Sequence, residues 1–494
     1  MMKQKFEDLV AQIKKYNSKA DFELIKKAYQ LAKQAHVGQK RLSGEAFVNH
    51  PLAVAKILAD WRLDTGTIIG GLLHDTVEEG NLSLEKVKKE FGVEISTLVD
   101  GVTKVGELKL RGEKEEIFVE NLRRLIVVMA YDLRVVLIKL ADRYHNLQTL
   151  YVLPEKKQKR IARETLEIFA PLAERLGIGE TKGLLEDLAF PYLYSQEYKW
   201  LKKYSRPYFK KADEDIKKIK KKIMSALTKK GIRVKVHGRQ KHLYSLYCKL
   251  LRPEIGRNIE KIYDLIALRI IVETVEECYA VLGTIHKLYR PVPAKGVSDF
   301  IAQPKPNGYR SIHTTVFAPK GRITEIQIRT KAMHEQAEYG VAAHWHYTSQ
   351  KSRQGVNDSV VEKGFFAPTE KMVWVKELVK WQKEIVDSKE FIDSLKFDGL
   401  KHRNFIFSPE GDVFDLPADA TPVDFAYAVH TGLGNSYGGA KVDGKLVSLS
   451  YKLRSGQLVE IIVNKSRKCP SRDWLKFVVT RTAKREIAKR LRKS

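Results

Sequence analysis

The sequence predicts a multidomain α+β protein with an all-α domain, a mixed α/β domain and a small β-grasp domain. From Phe22 to about Tyr198, apolar residues recur at helical spacing and Pro and Gly are sparse. After Lys202, short segments with strand-like alternation are interleaved with helical ones. Near the C-terminal end, two strand patterns flank a turn at Pro409–Gly411. The chain has 494 residues, too many for one hydrophobic core, so several domains are expected.

Composition favours a soluble protein with polyanionic partners. The formal net charge is +29, which suits nucleotides, RNA or an anionic surface. The first residues form no signal-peptide pattern, and the longest apolar runs are about six residues, too short for a membrane span. The three cysteines are isolated and encode neither a disulfide framework nor a zinc knuckle. We therefore predict a cytoplasmic protein with no membrane partner.

The first candidate site is the stretch Gly71–Glu79, which is predicted to be helical. On such a helix His74 lies one turn from Glu78, and Asp75 lies one turn from Glu79. Imidazole and carboxylate groups side by side on a buried face need a pairing agent, and a divalent cation is the simplest. The alternative is a solvated acidic helix end.

Two further segments extend this set. His50 directly precedes Pro51 where a helix is predicted to begin, and Asp142 lies one turn from Asn146 on another helix. Two imidazoles and two carboxylates suit manganese, iron or zinc and leave positions open for water and substrate. The ordered arrangement His…His-Asp…Asp is the signature of the HD phosphohydrolase superfamily, and its members here are His50, His74, Asp75 and Asp142.

The predicted mixed domain carries a second polar constellation. Alternation in one strand places Glu325, Gln327 and Arg329 on a single face, which requires a polar ligand above it. Residues 304–313 place an aromatic in a turn flanked by cations, a plausible platform for base stacking. Residues 239–249 are rich in cations, and a solvated basic helix is the alternative there.

The motifs Arg41–Glu45, His74–Glu79 and Lys139–Asn146 resemble the hydrolase domain of the RelA/SpoT homologues. These are long synthetase/hydrolases of guanosine 3′,5′-polyphosphates. The resemblance implies that His50, His74, Asp75 and Asp142 bind manganese. It also implies that Glu78 and Glu79 orient or deprotonate water, and that Arg41 and Asn146 hold the nucleotide.

The middle motifs resemble the synthetase domain of the same family, a relative of nucleotidyltransferases. That domain transfers the β,γ-diphosphate of ATP to the 3′-hydroxyl of GDP or GTP. By this resemblance Asp264 binds magnesium, and Glu325 helps to hold it and deprotonates the hydroxyl. The implied substrate-binding residues are Arg239, Lys241, Ser245, Lys249, Arg269, Lys295, Lys305, Asn307, Tyr309, His313 and Gln327.

The chain departs from the family pattern in both domains. Leu42, Glu79 and Gln148 stand where the family usually has a basic residue, an Asp and an Arg. The segment Pro293–Asp299 is one residue longer than its family counterpart and has only Lys295 as a basic residue. The departures in the hydrolase domain leave its implied metal ligands unchanged, and the altered segment 293–299 lies in the synthetase domain.

The segment Ala420–Thr431 resembles the TGS domain of the family. There the residue matching His430 lies near the 3′ end of uncharged tRNA on the ribosome, and a capped helix end is the alternative interpretation. Residues 466–494 form a basic tail. Longer family members continue into further modules, so the resemblance implies a chain truncated after the TGS domain.

Together these patterns predict six segments and one function. The segments are an HD domain (1–153), a helical connector (154–200), a synthetase domain (201–347), a linker and helix (348–400), a TGS domain (401–465) and the tail (466–494). The function implied by the resemblance is hydrolysis of the 3′-diphosphate of (p)ppGpp to GDP or GTP plus pyrophosphate, with synthesis from ATP, in the stringent response. Two alternatives are a hydrolase whose synthetase domain acts as a nucleotide sensor, and a ribosome- or tRNA-binding factor with residual catalytic sites.

Overall fold

The computed structural model describes the backbone of most of the chain. The described residues are 5–106, 126–128, 131–253, 255–293, 296–304, 308–319, 323–340, 403–454, 456–464, 466 and 469–492. Two compact units are formed, Met1–Arg111 with Val127–Thr369 and Gly112–Ile126 with Glu370–Ser494. The predicted helix at 374–387 and linker at 349–370 lie outside the described residues.

The first two hundred described residues are helical. The helices are α1 Phe6–Lys14, α2 Phe22–Ala35, α3 Asn49–Asp60, α4 Thr65–Leu73, α5 Leu84–Gly106 (interrupted at Gly92), α6 Arg134–Gln148, α7 Glu155–Glu164, α8 Ala170–Arg175, α9 Gly179–Leu193 and α10 Ser195–Thr228. A π-helical turn, Thr165–Phe169, joins α7 to α8.

Helices α3 and α4 approach closely, and this contact positions the first candidate site. A Cβ at Gly71 would lie only 2.5 Å from Leu58 Cδ1, so a larger residue would force Leu58 or the helices to shift. The Asp64 carboxylate accepts a hydrogen bond from the Thr67 backbone N–H and caps the start of α4. The apolar residues of α4 are fully buried.

The prediction of one helix through Glu79 is wrong, because α4 ends at Leu73. Thr76 donates hydrogen bonds from its hydroxyl (2.6 Å) and its backbone N–H (3.0 Å) to the Leu73 carbonyl. A threonine side chain that bonds the backbone competes with helix continuation. His74, Asp75 and the residues up to Glu79 therefore lie in a tight turn after the helix.

The middle of the chain folds around a five-stranded sheet with strand order β1-β2-β5-β4-β3. Strands β2 and β5 are parallel, and the other pairs are antiparallel. The elements are β1 Lys235–Gln240, α11 Leu243–Leu250, β2 Ile266–Val272, α12 Val275–Leu288, β3 Val297–Asp299, β4 Ile312–Phe317, β5 Ile323–Thr330 and α13 Lys331–Tyr339.

One sheet face packs on α10 and α12, and the other is polar. Ile326 and Ile328 of β5 are buried in the apolar cluster, with Ile216, Ile219 and other residues of these helices. Alternate residues of β5 project to the opposite face, as the alternation predicted. This second face carries the candidate site of the middle domain.

The second unit is a small domain of strands and short helices. Its elements are β6 Arg403–Phe407, β7 Val413–Pro417, α14 Pro422–Val429, α15 Thr431–Asn435, β8 Tyr437–Val442, β9 Lys445–Leu446, β10 Val459–Val463 and α16 Arg481–Leu491. Strands β6 and β7 form the predicted hairpin, and β8 lies between β9 and β10. The fold class predicted from the sequence is confirmed.

Candidate metal centre and polar site of the sheet

Two helices, α3 and α6, and the turn that follows α4 bring the two histidines and two aspartates together. The Nε2 atom of His50, in the first turn of α3, lies 3.2 Å from Asp142 Oδ1 of α6 and 3.4 Å from Asp75 Oδ2. His74 Nε2 lies 3.1 Å from Asp75 Oδ1 and 4.0 Å from Asp142 Oδ1. Candidate ligand atoms of His50, His74 and Asp142 all lie within 4.8 Å of one another. Both imidazoles are buried, so the four groups share one desolvated space.

Hydrogen bonds on the far side of each imidazole determine which nitrogen carries the proton. His74 Nδ1 lies 2.9 Å from the Gly71 carbonyl, so Nδ1–H donates and Nε2 holds a lone pair. Arg41 can only donate, and its Nη1 lies 3.2 Å from His145 Nδ1, which must therefore accept. His50 Nδ1 lies 2.8 Å from the same His145 atom, so it donates and leaves a lone pair on His50 Nε2.

The donor set fits a divalent cation. Both Nε2 lone pairs face carboxylate oxygens, and His74 Nε2 has no hydrogen-bond partner among the described residues. Burial lowers the pKa of His50, so the imidazole is neutral at physiological pH. In typical metal sites, neutral imidazoles bind the metal through one ring nitrogen and donate a hydrogen bond from the other. Carboxylates supply the remaining ligands.

Arg41 and Asn146 form a chain of contacts beside this centre. Arg41 Nη2 donates to Asn146 Oδ1 (2.6 Å), and Asn146 Nδ2 donates to Asp142 Oδ1 (2.6 Å). Burial lowers the pKa of Arg41, and the charges of Asp142, Asp75, Glu45 and Glu79 oppose that shift. Glu79 is exposed and Glu78 half-buried, both in the turn that follows the metal-binding candidates.

His145 and Lys139, which are not among the site residues predicted from the sequence, also contact this centre. His145 bonds His50, and Lys139 Nζ lies 3.7 Å from Asp142 Oδ2. Burial, with the nearby charges of His50 and Arg41, lowers the pKa of His145 to about 3. The distance between His145 and Asp142 along the sequence could not indicate the contact between His145 and His50. That contact depends on how α6 crosses α3.

In the middle domain, Asp264 precedes β2 and is held by two lysines. Lys241 Nζ and Lys249 Nζ lie 2.8 and 2.7 Å from Asp264 Oδ2, while Asp264 Oδ1 is buried with no hydrogen-bond partner among the described residues. Burial acts to raise the pKa of Asp264, but the two ammonium groups outweigh it and lower the pKa to about 2. A charged carboxylate with one oxygen unpartnered fits an oxygen-preferring cation such as magnesium.

Glu325 lies on the polar sheet face within a second hydrogen-bonded group. Its Oε1 is 3.2 Å from His313 Nδ1 of β4 and accepts from Gln327 Nε2 at 2.9 Å. Tyr309 OH lies 2.7 Å from His313 Nε2 and extends the chain to the aromatic ring. Although burial raises the pKa of Glu325, the His313 hydrogen bond and charge lower it to about 2.

Other predicted substrate-binding residues contact acidic side chains. Arg269 Nη1 donates to Glu338 Oε1 of α13 (2.7 Å), and Arg239 Nη2 lies 3.3 Å from Glu180 Oε2 of α9. The Ser245 hydroxyl is 3.2 Å from Glu186 Oε2. The predicted residues Lys295, Lys305 and Asn307 lie outside the described residues.

In the second unit, His430 ends α14 and begins α15. Its Nδ1 accepts a hydrogen bond from the Gly432 backbone N–H (3.0 Å), and the side chain is exposed. The capped-helix role that the sequence left open therefore describes its contacts.

Known families and relatives match the chain over most of its length. The HD domain matches residues 28–179, the region found in RelA/SpoT proteins matches 238–352, and the TGS domain matches 404–463. The bifunctional (p)ppGpp synthase/hydrolase SpoT of Escherichia coli is 43% identical over 99% of this chain and 67% of its own length. This chain belongs to the RelA/SpoT family. The predicted family resemblance is confirmed.

Other RelA/SpoT relatives agree. The guanosine-3′,5′-bis(diphosphate) 3′-pyrophosphohydrolase of Aquifex aeolicus is 44% identical over 99% of this chain and 67% of its own length. A probable GTP pyrophosphokinase of Mycobacterium leprae is 43% identical over 97% of this chain and 60% of its own length. The chain spans about 55 to 67% of the length of these and similar curated relatives.

Membership of the RelA/SpoT family and the HD domain imply use of a divalent metal. Among the helices of the described residues, none is both long and apolar enough to cross a bilayer.

Proposed function

We propose that this chain hydrolyses (p)ppGpp to GDP or GTP and pyrophosphate at the helical site, and synthesises (p)ppGpp at the sheet site. The observation that carries hydrolysis is the pair of Nε2 lone pairs on His50 and His74, both facing the carboxylates of Asp75 and Asp142. The names of the relatives, which include synthase/hydrolases and a 3′-pyrophosphohydrolase, support both activities.

At the helical site we assign His50, His74, Asp75 and Asp142 as ligands of manganese. When bound, that cation lowers the pKa of water and polarises the 3′-diphosphate. Hydrolysis forms a bond from the water oxygen to phosphorus and breaks the bond between phosphorus and the ribose 3′-oxygen. Glu78 or Glu79 accepts a proton from the water, and the departing 3′-oxygen takes up a proton from solvent, to which the carboxylate later releases its own.

Arg41 and Asn146 bind the nucleotide in this proposal. The Arg41 guanidinium is held within reach of the centre by Asn146 and His145, so little side-chain freedom is lost on binding. A planar cation there stacks on guanine or neutralises phosphate. Asn146 has its carbonyl oxygen on Arg41 and its amide nitrogen on Asp142, which couples the nucleotide-binding residue to the metal ligand.

At the sheet site the 3′-hydroxyl oxygen of GDP or GTP attacks the β-phosphorus of ATP, and AMP leaves as the bridging bond breaks. Glu325 accepts the hydroxyl proton, and its low pKa keeps it ionised at neutral pH. Lys241 and Lys249 neutralise phosphate charge, Tyr309 stacks on guanine, and Asp264 is the assigned ligand of magnesium. Arg239, Ser245, Arg269, Lys295, Lys305, Asn307, His313 and Gln327 complete the proposed binding residues.

We also propose that the TGS domain contacts the ribosome and uncharged tRNA through His430, and that the chain acts in the cytoplasm, where its proposed substrates occur. The names of the relatives concern the nucleotide chemistry only, so the RNA contact rests on the sequence resemblance of residues 420–431. A filter-binding measurement with uncharged tRNA, comparing the unmodified chain with His430→Ala, tests it.

One product assay tests the central proposal. Purified full chain is incubated with ppGpp and Mn²⁺, and separately with ATP, GDP and Mg²⁺, and the nucleotides are resolved by anion exchange. Release of GDP in the first reaction and of ppGpp with AMP in the second supports both activities. Hydrolysis without synthesis favours the nucleotide-sensor alternative. RNA binding without any turnover favours the ribosome-associated alternative.

A further inference from the structure

A cavity of about 140 Å³ beside the polar sheet face is lined in part by three arginines, Arg239, Arg269 and Arg329, and by Tyr309. Arg239, Arg269 and Tyr309 are already assigned to nucleotide binding, but Arg329 is not. Its side chain is only 1% exposed, the least of the three. A guanidinium this deeply buried requires a specific explanation.

The fold supplies Arg329 with few partners. Its Nε and Nη2 have no hydrogen-bond partner among the described residues, and the Nε atoms of Arg239 and Arg269 share this condition. The Glu338 carboxylate lies 2.7 Å from Arg269 Nη1 but 3.7 Å from Arg329 Nη2, beyond hydrogen-bond distance. Glu174, Glu180 and Glu338 also line the cavity, but no described residue accepts a hydrogen bond from Arg329 Nε or Nη2. Buried cationic donors left in this state are unfavourable in the absence of a ligand.

The sheet itself does not require an arginine at this position. Ile326 and Ile328, the alternate residues of β5, supply the apolar contacts to the core. Arg329 pairs in register with Ile271 of β2 through the backbone, a pairing that any β-forming residue can make. Burial lowers the pKa of Arg329 to about 10, so the side chain stays charged at neutral pH.

We infer that Arg329 is a substrate-binding residue that donates hydrogen bonds to a purine nucleotide in this cavity. Glu338 holds Arg269 and lies near Arg329 before the nucleotide binds. The acceptors on the ligand are phosphate oxygens or base ring atoms, both of which match the guanidinium fork. The inference rests on the proposed function for the choice of nucleotide, which is either the ATP that donates diphosphate or the GDP that accepts it.

The test measures nucleotide binding under conditions in which no reaction takes place. Calorimetric titration of the full chain with α,β-methylene ATP and, separately, with GDP is performed on the unmodified protein and on Arg329→Gln. We expect Arg329→Gln to weaken one of the two ligands by about 10- to 100-fold. If only the affinity for the ATP analogue falls, Arg329 binds the donor nucleotide. If only the affinity for GDP falls, Arg329 binds the acceptor nucleotide.

Thermal unfolding distinguishes a ligand-binding role from a structural one. Because two nitrogens of the buried guanidinium have no hydrogen-bond partner among the described residues, Arg329→Gln should leave Tm unchanged or raise it while nucleotide affinity falls. Arg329→Lys, which keeps the charge and loses the planar fork, should fold and show the same loss of affinity. The matched control is Arg62→Gln, which removes a half-buried arginine paired with Glu335 of α13 outside this cavity and should leave both affinities unchanged.

Two results separate the failure of this inference from that of the proposed function. If the unmodified chain binds nucleotide and Arg329→Gln binds both ligands equally well, the inference is overturned while the proposed function stands. If the unmodified chain binds neither ligand, the proposed synthetase function fails and the inference fails with it.

Discussion

His145 Nδ1 lies 2.8 Å from His50 Nδ1, and this contact gives His50 the tautomer that a metal ligand needs. Arg41 donates to the same His145 atom, so His145 is the acceptor and His50 the donor. The nucleotide-binding candidate Arg41 and the metal-binding candidate His50 are thereby linked through one imidazole. His145 acts in this arrangement as a positioning residue.

Replacing His145 should therefore weaken metal binding although the four proposed ligands remain. We expect His145→Phe to lower manganese affinity by about 10- to 100-fold, because loss of an outer hydrogen bond has that effect at metal sites. Electron paramagnetic resonance of free Mn²⁺ measures the affinity directly. Synthesis from ATP and GDP in Mg²⁺ is the internal control and should be unchanged. Unaltered manganese affinity would show that His50 does not need this partner.

Manganese should also stabilise the chain against unfolding. A cation that binds only the folded state at about one hundred times its Kd adds about 2.7 kcal/mol. We expect Tm to rise with Mn²⁺ concentration in differential scanning calorimetry and to fall back with a chelator. In Asp75→Ala the metal-dependent rise and the hydrolysis of ppGpp should both disappear. A Tm rise that persists in Asp75→Ala would place the cation elsewhere.

The sequence could indicate where the candidate residues of the helical site lie because they belong to short local patterns. His50 at a helix start and Asp142 near Asn146 lie where periodicity places them, and the structure brings them together with His74 and Asp75. The end of α4 at Leu73 was not predictable from apolar spacing. It depends on the Thr76 hydroxyl, which donates a hydrogen bond to the Leu73 carbonyl and so competes with continuation of the helix.

Contacts between elements far apart in the chain could not be predicted from the sequence. The alternation of β5 indicated that Arg329 shares a face with Glu325. It could not indicate that two nitrogens of Arg329 have no hydrogen-bond partner in the described part of the chain. That fact depends on where Glu338 of α13 comes to lie. Likewise, the pairing of Arg239 with Glu180 requires the packing of β1 near α9, which no local pattern encodes.

His242 should make the stability of the first unit depend on pH. Its Nδ1 lies 2.9 Å from Asp187 Oδ2 and its Nε2 3.6 Å from Glu180 Oε1. Burial acts to lower the pKa of His242, but these carboxylates outweigh it and raise the pKa to about 9. The folded pKa exceeds the unfolded value of about 6.5, so the stabilisation is complete below pH 6.5 and is lost as pH rises toward 9.

The size of this effect is about 3 kcal/mol from the shift in pKa. Urea unfolding of the full chain at pH 6, 7.5 and 9 measures it. His242→Gln should flatten the loss of stability over that interval, and Asp187→Asn should flatten it in the same direction. If the unmodified chain is equally stable at pH 6 and pH 9, the ion pair does not persist in solution.

In the second unit, Asp424 should be a major determinant of stability. Its carboxylate is fully buried and accepts hydrogen bonds from Thr421, from the backbone N–H groups of Val479 and Thr480, and from the Thr480 hydroxyl. Asp424→Asn replaces one acceptor oxygen by a donor that faces other donors. We expect a loss of about 2–4 kcal/mol in the free energy of unfolding.

Denaturant unfolding monitored at Trp474, which packs in the core of the same unit, measures this loss. The control is Asp473→Asn, whose side chain is 73% exposed and paired with Lys476. That substitution should change stability by less than about 0.5 kcal/mol. Equal effects of the two substitutions would mean that the buried carboxylate network contributes nothing.

Replacing Glu325 should abolish most of the proposed synthesis without affecting the proposed hydrolysis. Because it accepts the proton of the 3′-hydroxyl in the proposed synthesis, Glu325→Gln should lower kcat for ppGpp formation by about 10²- to 10⁴-fold. The amide keeps the shape of the side chain and its oxygen can still face Gln327, so nucleotide binding and Tm should change little. Hydrolysis of ppGpp in Mn²⁺, measured on the same preparation, should be unaffected because His50 and Asp142 lie in the helical domain. If Glu325→Gln makes ppGpp at the unmodified rate, another group accepts the proton, and His313, 3.2 Å away, becomes the residue to replace next.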